Sequence, residues 1–281
     1  MIIWLASYPK SGNTWIRSLI SSYLFSDDGN FNFRLLKNIE QFSSSNIDNN
    51  LTKKEHYQSR ISKNWIPTQK IINKSKKVHF LKTHNAMCSI NGYNFTDKQN
   101  TLAAIYIARD PRNLITSLSN HYELTLEESL EFLTNKRKII FPINQKNKDP
   151  EDFNFLADWS THYRSWKNIN FCPIKIIKYE DFILDSEGIF IEVLEFLSKF
   201  ISINLDNKKI KKALDTTSFE NLRKMEKKEG FIESVTSLKE NKKIPFFYMG
   251  KKNDWKKMLD KKLLKKIENH FRLDMEELGY L

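Results

Sequence analysis

A chain of 281 residues can bury a large core, and a composition of 40% hydrophobic and 28% charged residues excludes a disordered or fibrous protein. The formal net charge of +12 favours polyanions (nucleotide phosphates, sulfated glycans or nucleic acid), but the lysines are scattered, and no basic stripe interleaved with aromatics argues for nucleic acid. Cys88 and Cys172 alone make no disulfide scaffold.

The chain opens on Ile2-Ile3-Trp4-Leu5, an apolar run fit for a short buried strand. Ser7 to Thr14 then breaks the pattern with Pro9 and Gly12, and Trp15, Ile16, Leu19, Ile20, Tyr23 and Leu24 recur at helical spacing. A strand feeding a glycine-bearing turn and a helix N-terminus is an anion site. The first helical N–H groups lack intrahelical partners, and the helix dipole favours negative charge there. Lys10 adds a point charge, and Ser11 and Thr14 add hydroxyls. The plainer reading is a strand-turn-helix with a solvated lysine. The pattern G-x-x-x-x-G-K-[ST] is absent, because Lys10 precedes Gly12 by two positions. That order argues against a common kinase or nucleotidase and for a variant phosphate loop.

Residues 27–77 mix apolar Phe31, Phe33, Leu35, Leu36 and Ile39 with loop-like Ser43-Ser44-Ser45-Asn46 and Asp48-Asn49-Asn50. Helices are expected over 52–62 and 66–74. A second strand is expected at 78–81, followed by Lys82-Thr83-His84, and a third at 101–108 runs into Arg109-Asp110-Pro111-Arg112. Pro111 suits a first helical turn, which Leu114, Ile115, Leu118 and Tyr122 continue. Helices are expected over 126–136 and 153–167, a fourth strand at 174–177 ends at Tyr179-Glu180-Asp181, and 189–200 and 263–278 are amphipathic helices. Short buried strands alternating with helices predict an α/β fold over 1–281 as one domain. Its mainly parallel sheet is flanked by helices in three layers. Such sheets bind ligands beyond the carboxyl ends of their strands, which puts residues 7–14, 82–84, 109–112 and Tyr179 on one edge.

Lys82 and His84 stand two apart, so an extended backbone presents them on one face. A lysine stabilises developing negative charge, and a histidine takes a proton from a hydroxyl or amine. Taken alone, His84 reads first as a loop histidine bonded to a backbone carbonyl; beside the phosphate loop the proton-taking reading leads. An Arg109 fork with the Ser117 hydroxyl can hold a phosphate. The alternative is an Arg109–Asp110 ion pair with Ser117 facing solvent. Trp15 and Phe219, taken separately, read as core packing. The six histidines lie far apart without C-x-x-C or H-x-x-x-H spacing, so no metal is expected. Nothing precedes the first strand to serve as a signal peptide, and no apolar run approaches the ~18–20 residues of a spanning helix. The expected setting is a reducing cytoplasm.

Tyr8-Pro9-Lys10-Ser11-Gly12-Asn13-Thr14-Trp15 after a first strand resembles the first loop of sulfotransferases that use 3′-phosphoadenylyl sulfate (PAPS). Four later segments continue the resemblance in order: Lys82-Thr83-His84, Arg109-Asp110-Pro111-Arg112 with Ser117, Tyr179 with Thr217-Ser218-Phe219, and Gly250 to Trp255. The resemblance spans nearly the whole chain and implies a P-loop-like fold. It implies that Lys10, Ser11, Gly12, Asn13, Thr14 and Trp15 bind the cofactor, with Arg109 and Ser117 on its 3′-phosphate. Tyr179, Thr217, Ser218 and Phe219 fall near the adenine, which Trp15 and Phe219 would sandwich. Gly250 and Lys251 belong to the late cofactor segment. His84 is implied as the catalytic base, with Lys10 and Lys82 offsetting developing charge.

The sequence departs from the family pattern in four places. Tyr248-Met249-Gly250 replaces Arg-Lys-Gly or Arg-Arg-Gly, which removes an arginine from the 3′-phosphate and leaves Lys251 or Lys252 as point charges. Asn13 replaces a usual threonine, and Asn85-Ala86 replaces Leu-Pro after the histidine. Asp260-Lys261 stands where the family dimer motif has Thr-Val, so no dimer is implied and the oligomeric state stays open. The expected activity is sulfuryl transfer from PAPS to a hydroxyl or amine of a small-molecule or carbohydrate acceptor, without metal. A non-catalytic nucleotide- or glycan-binding relative and a small-molecule kinase are the alternatives. The acceptor pocket is expected among 27–77, 137–152 and 226–247.

Overall fold

The computed structural model describes residues 1–43, 56–141, 152–237 and 242–281. Four parallel strands form the central sheet: β1 (Ile2–Ser7), β2 (His79–Thr83), β3 (Thr101–Ala108) and β4 (Ile174–Lys178), in the order β2-β1-β3-β4. Every residue of β1 is buried, as a strand covered on both faces by helices must be. Ile3 pairs with Phe80 of β2 and Ala103 of β3, and Ile107 of β3 pairs with Ile177 of β4.

The strands' alternation divides the core in two. Ile2, Trp4, Ala6, Ala104 and Tyr106 face Trp65, Phe95, Trp159, Trp166 and Phe271. Ile3, Leu5, Ala103, Ile105 and Ile107 face Ile16, Leu19, Ile20, Val193, Leu194 and Leu197. The result is helices on both sides of the sheet, the P-loop-like α/β arrangement expected from the sequence. A third, smaller cluster of Phe31, Leu36, Leu222, Phe231 and Phe247 stands beside the first loop, against Trp15.

The helices that matter to the site are α1 (Asn13–Phe25), α2 (Pro111–Tyr122), α3 (Tyr179–Leu184) and α4 (Phe219–Glu229). Pro111 occupies the first turn of α2, and the Asp110 carboxylate caps it by accepting from the Arg112 N–H. Tyr179 does not end β4 but opens α3. Other boundaries shift for local reasons. The helix expected at 153–167 spans only Trp159–Lys167, because the Asp158 carboxylate caps it from the Thr161 N–H and Ala157 takes φ 56°. Asn154–Phe155 instead pairs antiparallel with Ile139–Ile140. The helix expected at 126–136 ends at Thr134, and those expected at 189–200 and 263–278 span Ser186–Ser198 and Lys261–Glu277. The helices Tyr57–Ser62 and Trp65–Asn73 lie where 52–62 and 66–74 were expected, and residues 52–55 fall outside the described residues. Among the described residues no helix is long and apolar enough to cross a membrane.

Trp4 sits at the middle of this design. It is fully buried, meets Phe42 and Phe95 at 5.3 and 5.1 Å between ring centroids, and donates its indole N–H to Thr101 Oγ1 at 3.0 Å. Trp4→Ala is expected to cost about 3–5 kcal/mol in urea denaturation, the range for a large aromatic lost from a packed core.

Candidate functional site

The β1–α1 turn is a preformed cradle of donors. Lys10 takes φ 66° and Gly12 φ 94°, left-handed conformations that curl the backbone around one point. The Asn13 amide donates to the Leu5 carbonyl at 3.0 Å and to Ser7 Oγ at 3.1 Å, tying the loop to the end of β1. Asn13 therefore offers a ligand its backbone, not its side chain. Among the described residues the N–H groups of Gly12, Asn13 and Thr14 find no acceptor, as expected for a helix N-terminus waiting for an anion. Gly12 has a second reason to be glycine: a Cβ here would overlap the Tyr179 ring.

The other strand ends converge on this cradle. Lys82 lies inside β2 instead of after it, and His84 is the first residue beyond the strand. His84 Nδ1 stands 2.8 Å from the Ser7 carbonyl, which can only accept, so Nδ1 carries the proton and Nε2 keeps its lone pair. Behind it, Tyr106 donates to His162 Nδ1 at 2.9 Å, and His162 Nε2 donates to the His84 carbonyl at 3.0 Å. From β3, Arg109 donates to the Lys10 carbonyl at 2.6 Å and lies 4.3 Å above the Tyr179 ring, while its Nε has no partner among the described residues. Asp110 pairs with Arg112 at 2.7 Å, not with Arg109, so the simple R-D ion pair is not formed and the Arg109 fork keeps a free edge. The Ser117 hydroxyl, two turns into α2, has no protein partner among the described residues.

The opposite wall comes from the late part of the chain. Gly250, at φ 55°, lies against Phe219, where a Cβ would approach within 2.7 Å of the ring. Asn253 donates to the Asn113 carbonyl at 2.8 Å, Trp255 donates its N–H to Asn113 Oδ1, and Arg112 stacks over the Trp255 ring at 4.1 Å. These contacts pin 250–255 to α2.

Together these groups line one cavity of about 690 Å³, ample for a nucleotide. Lys10, Gly12, Asn13, Thr14, Trp15, Lys82, His84, Arg109, Ser117, Tyr179, Ser218, Phe219, Gly250 and Lys251 all border it. Ser11 and Thr217 do not. Ser11 is fully buried with its hydroxyl unpartnered, and the Thr217 hydroxyl donates to the Ala213 carbonyl. Tyr248, the residue at the position of the missing arginine, borders the cavity too. So do Phe42, Phe141 and Phe246 from the stretches expected to line an acceptor pocket, whereas 44–55, 142–151 and 238–241 lie outside the described residues.

Three lining or adjoining groups had no place in the sequence reading. Arg17 follows Thr14 by three positions on α1, a spacing that puts both on one helix face and could have been noticed. Glu233 accepts from Arg17 at 2.8 Å, from Lys82 Nζ at 2.9 Å and from Thr14 Oγ1 at 3.1 Å. His121 of α2 lies T-shaped to Phe246 with Nδ1 unpartnered.

The electrostatics follow from burying several cations together. Burial pulls Lys10 down to about 7, although Glu233 opposes the shift. Burial likewise lowers Lys82. His84 is pushed down to about 3, by burial first and Lys82 second, and His121 to about 2, by burial and then Lys10. Both imidazoles are neutral at neutral pH. Burial acts to raise Glu233, but Lys82 and Arg17 outweigh it and hold its carboxyl far below the usual range. Among the described residues no three His, Cys, Asp or Glu side chains gather in a metal-binding group.

The sulfotransferase domain family model matches residues 2–279. Among solved structures, mouse sulfotransferase SULT7A1 complexed with PAP superposes with a TM-score of 0.61 at 19% identity, covering 98% of this chain and 84% of that one. Retinol dehydratase in complex with androsterone and the inactive cofactor PAP gives 0.60 at 15% identity, covering 98% and 80%. Both are similar in fold.

Gly12→Ala is expected to cost about 1–3 kcal/mol from its left-handed backbone alone, with ring overlap in addition. Set against Tyr179→Ala alone, the double variant should show only the backbone cost, as urea denaturation of both single variants and the double variant will show.

Proposed function

The chain belongs to the sulfotransferase domain family, and on that premise we propose that it transfers a sulfuryl group from PAPS to a hydroxyl or amine of a small-molecule or carbohydrate acceptor. One observation carries the reading. Four strand ends deliver the cradle around Lys10, the Lys82–His84 pair, Arg109 and Tyr179 to a single cavity.

The residues present fit the co-substrate. Unpaired N–H groups at Gly12, Asn13 and Thr14 suit its 5′ oxyanions, with Lys10 and the Thr14 hydroxyl beside them. The unpartnered Arg109 Nε and the Ser117 hydroxyl suit the 3′-phosphate, and Lys251 borders the same cavity where the family arginine is replaced by Tyr248. Trp15 and Phe219 offer aromatic faces to the base. When bound, PAPS supplies the activated sulfuryl group.

His84 is the general base. The Ser7 carbonyl holds its Nδ1 proton, so Nε2 takes the proton of the acceptor O–H or N–H. A value near 3 makes the resting imidazole a weak base. Negative charge entering the cavity favours the imidazolium and moves His84 toward the range in which it accepts a proton. Lys82 and Lys10 offset charge developing on the transferring oxygens. His162 is a positioning residue: through the His84 carbonyl it fixes where the ring stands. The same reading sets the protein in a reducing cytoplasm, where Cys88 and Cys172 stay free thiols.

The first measurement is a thermal shift with adenosine 3′,5′-bisphosphate (PAP) beside ATP–Mg²⁺. A rise with the bisphosphate is expected, and a rise with ATP–Mg²⁺ alone would replace this reading by a kinase. His84→Ala is expected to lower kcat by about 10²–10⁴-fold. PAP affinity should stay within about twofold, because the imidazole is placed on the acceptor's proton and not on the nucleotide. Wild-type turnover in that variant removes His84 from the role of base. PAP affinity should fall by up to about tenfold per pH unit above pH 7. Free Lys10 loses its proton through about 7, and a bound phosphate must restore it. Calorimetry in buffers of different ionisation enthalpy will report that proton uptake directly.

A further inference from the structure

Among the described residues, Glu233 is the carboxylate that the cradle's own donors hold. It projects from a well-anchored segment. Phe231 sits in the third apolar cluster, Ser234 Oγ donates to Glu226 at 2.6 Å, and Val235–Thr236 pairs with Lys243–Ile244. From there its two oxygens take Thr14 Oγ1, Arg17 and Lys82. Thr14 belongs to the first turn of α1, beside the unpaired N–H groups, and Lys82 is the lysine facing the transferring group in the proposed mechanism. A carboxylate paired with Lys82 and Arg17 thus satisfies donors that an incoming oxyanion needs. Its side chain is 20% exposed, so it is partly open to the cavity.

Both anions cannot use these donors at once. Like charges at contact range in a poorly solvated site repel, and salt screens them little. A carboxylate tethered to the chain also competes at an effective concentration on the order of millimolar or more. A small monovalent or divalent oxyanion brings little beyond what the carboxylate already supplies, and it must beat that tethered rival by concentration alone. A nucleotide with further phosphate and base contacts elsewhere in the cavity brings the extra binding that drives the exchange.

We propose that Glu233 is a resident anion that sets the site's specificity: it closes the cradle to simple oxyanions and yields only to a multiply anchored, polyanionic nucleotide, releasing Lys82 and Arg17 as it leaves. This rests on the sulfuryl-transfer reading and adds to it a residue that selects the co-substrate. An alternative role, in which Glu233 recognises a cationic acceptor, is disfavoured because two cations already neutralise it.

Calorimetry with PAP and with inorganic sulfate on wild type and Glu233→Gln tests the proposal. The variant is expected to bind PAP about 10–100-fold tighter and to gain sulfate binding that wild type lacks. Equal or weaker PAP binding by a folded Glu233→Gln protein overturns it. PAP that binds neither protein overturns the sulfuryl-transfer reading and this inference together. Should the variant fail to fold, wild-type protein serves: carbodiimide-driven amine labelling of Glu233, read by mass spectrometry, must rise severalfold when PAP is added. Labelling that stays level or falls on PAP addition overturns the exchange.

Discussion

Everything at the site depends on the parallel alignment of four strands. Because β1 lies between β2 and β3 with all its residues buried, its carboxyl end cannot shift without moving Thr83, Tyr106 and Ile107, to which Ala6 and Ser7 are paired. A parallel sheet sends all its strand ends to one edge. Residues remote in sequence therefore arrive together without any loop having to fold back over a long path. The Arg109 bond to the Lys10 carbonyl then locks the β3 end to the β1 loop. The cradle is ordered by folding itself, so a ligand meets a formed site and binding loses little to loop ordering.

The second constraint is charge. Lys10, Lys82 and Arg17 share a half-dry space with the Glu233 carboxylate, and Glu226 adds a weaker pull on Lys10. Burial pulls the lysines toward neutrality, while Lys82 and Arg17 hold the carboxylate in its charged form. Cation–π contact helps to carry the excess. Lys10 Nζ lies 3.6 Å from the centre of the Phe246 ring, and Arg109 lies over Tyr179. Aromatics thus take part of the work that acidic residues do elsewhere, without offering an oxygen that competes with phosphate.

The sheet was legible in the sequence because strands buried on both faces read as unbroken apolar runs, such as Ile2 to Leu5 and Thr101 to Ala108. The loop, Arg109 and His84 were legible because each follows such a run, and the motif order then identified their family. Helix starts were less so. Phe153, Phe155 and Leu156 look like the first turns of a helix, yet they are core residues of an extended segment, and the cap at Asp158 decides the boundary. Ser11 and Thr217 show the limit of motif transfer, since a matching residue can turn its hydroxyl into the protein. Glu233 was invisible. It belongs to no periodic segment, and its partners Arg17 and Lys82 stand 216 and 151 residues away. Only tertiary structure brings a lone glutamate to two cations so far off.

Tyr106 and His162 tie the core to the rim of the cavity. Tyr106 is a packed residue of the central strand, in contact with His162 and Tyr163 and hidden from solvent. Its hydroxyl nonetheless ends a chain of hydrogen bonds that reaches the backbone of His84. Repacking beneath the sheet therefore cannot be judged by melting temperature alone. A change that keeps the volume at Tyr106 but removes its oxygen strips the buried His162 Nδ1 of its donor, next to the bond that His162 makes to the His84 carbonyl. Core packing and the hydrogen bonding of the cavity wall thus meet in one side chain, the apolar ring on one side of it and the hydroxyl on the other.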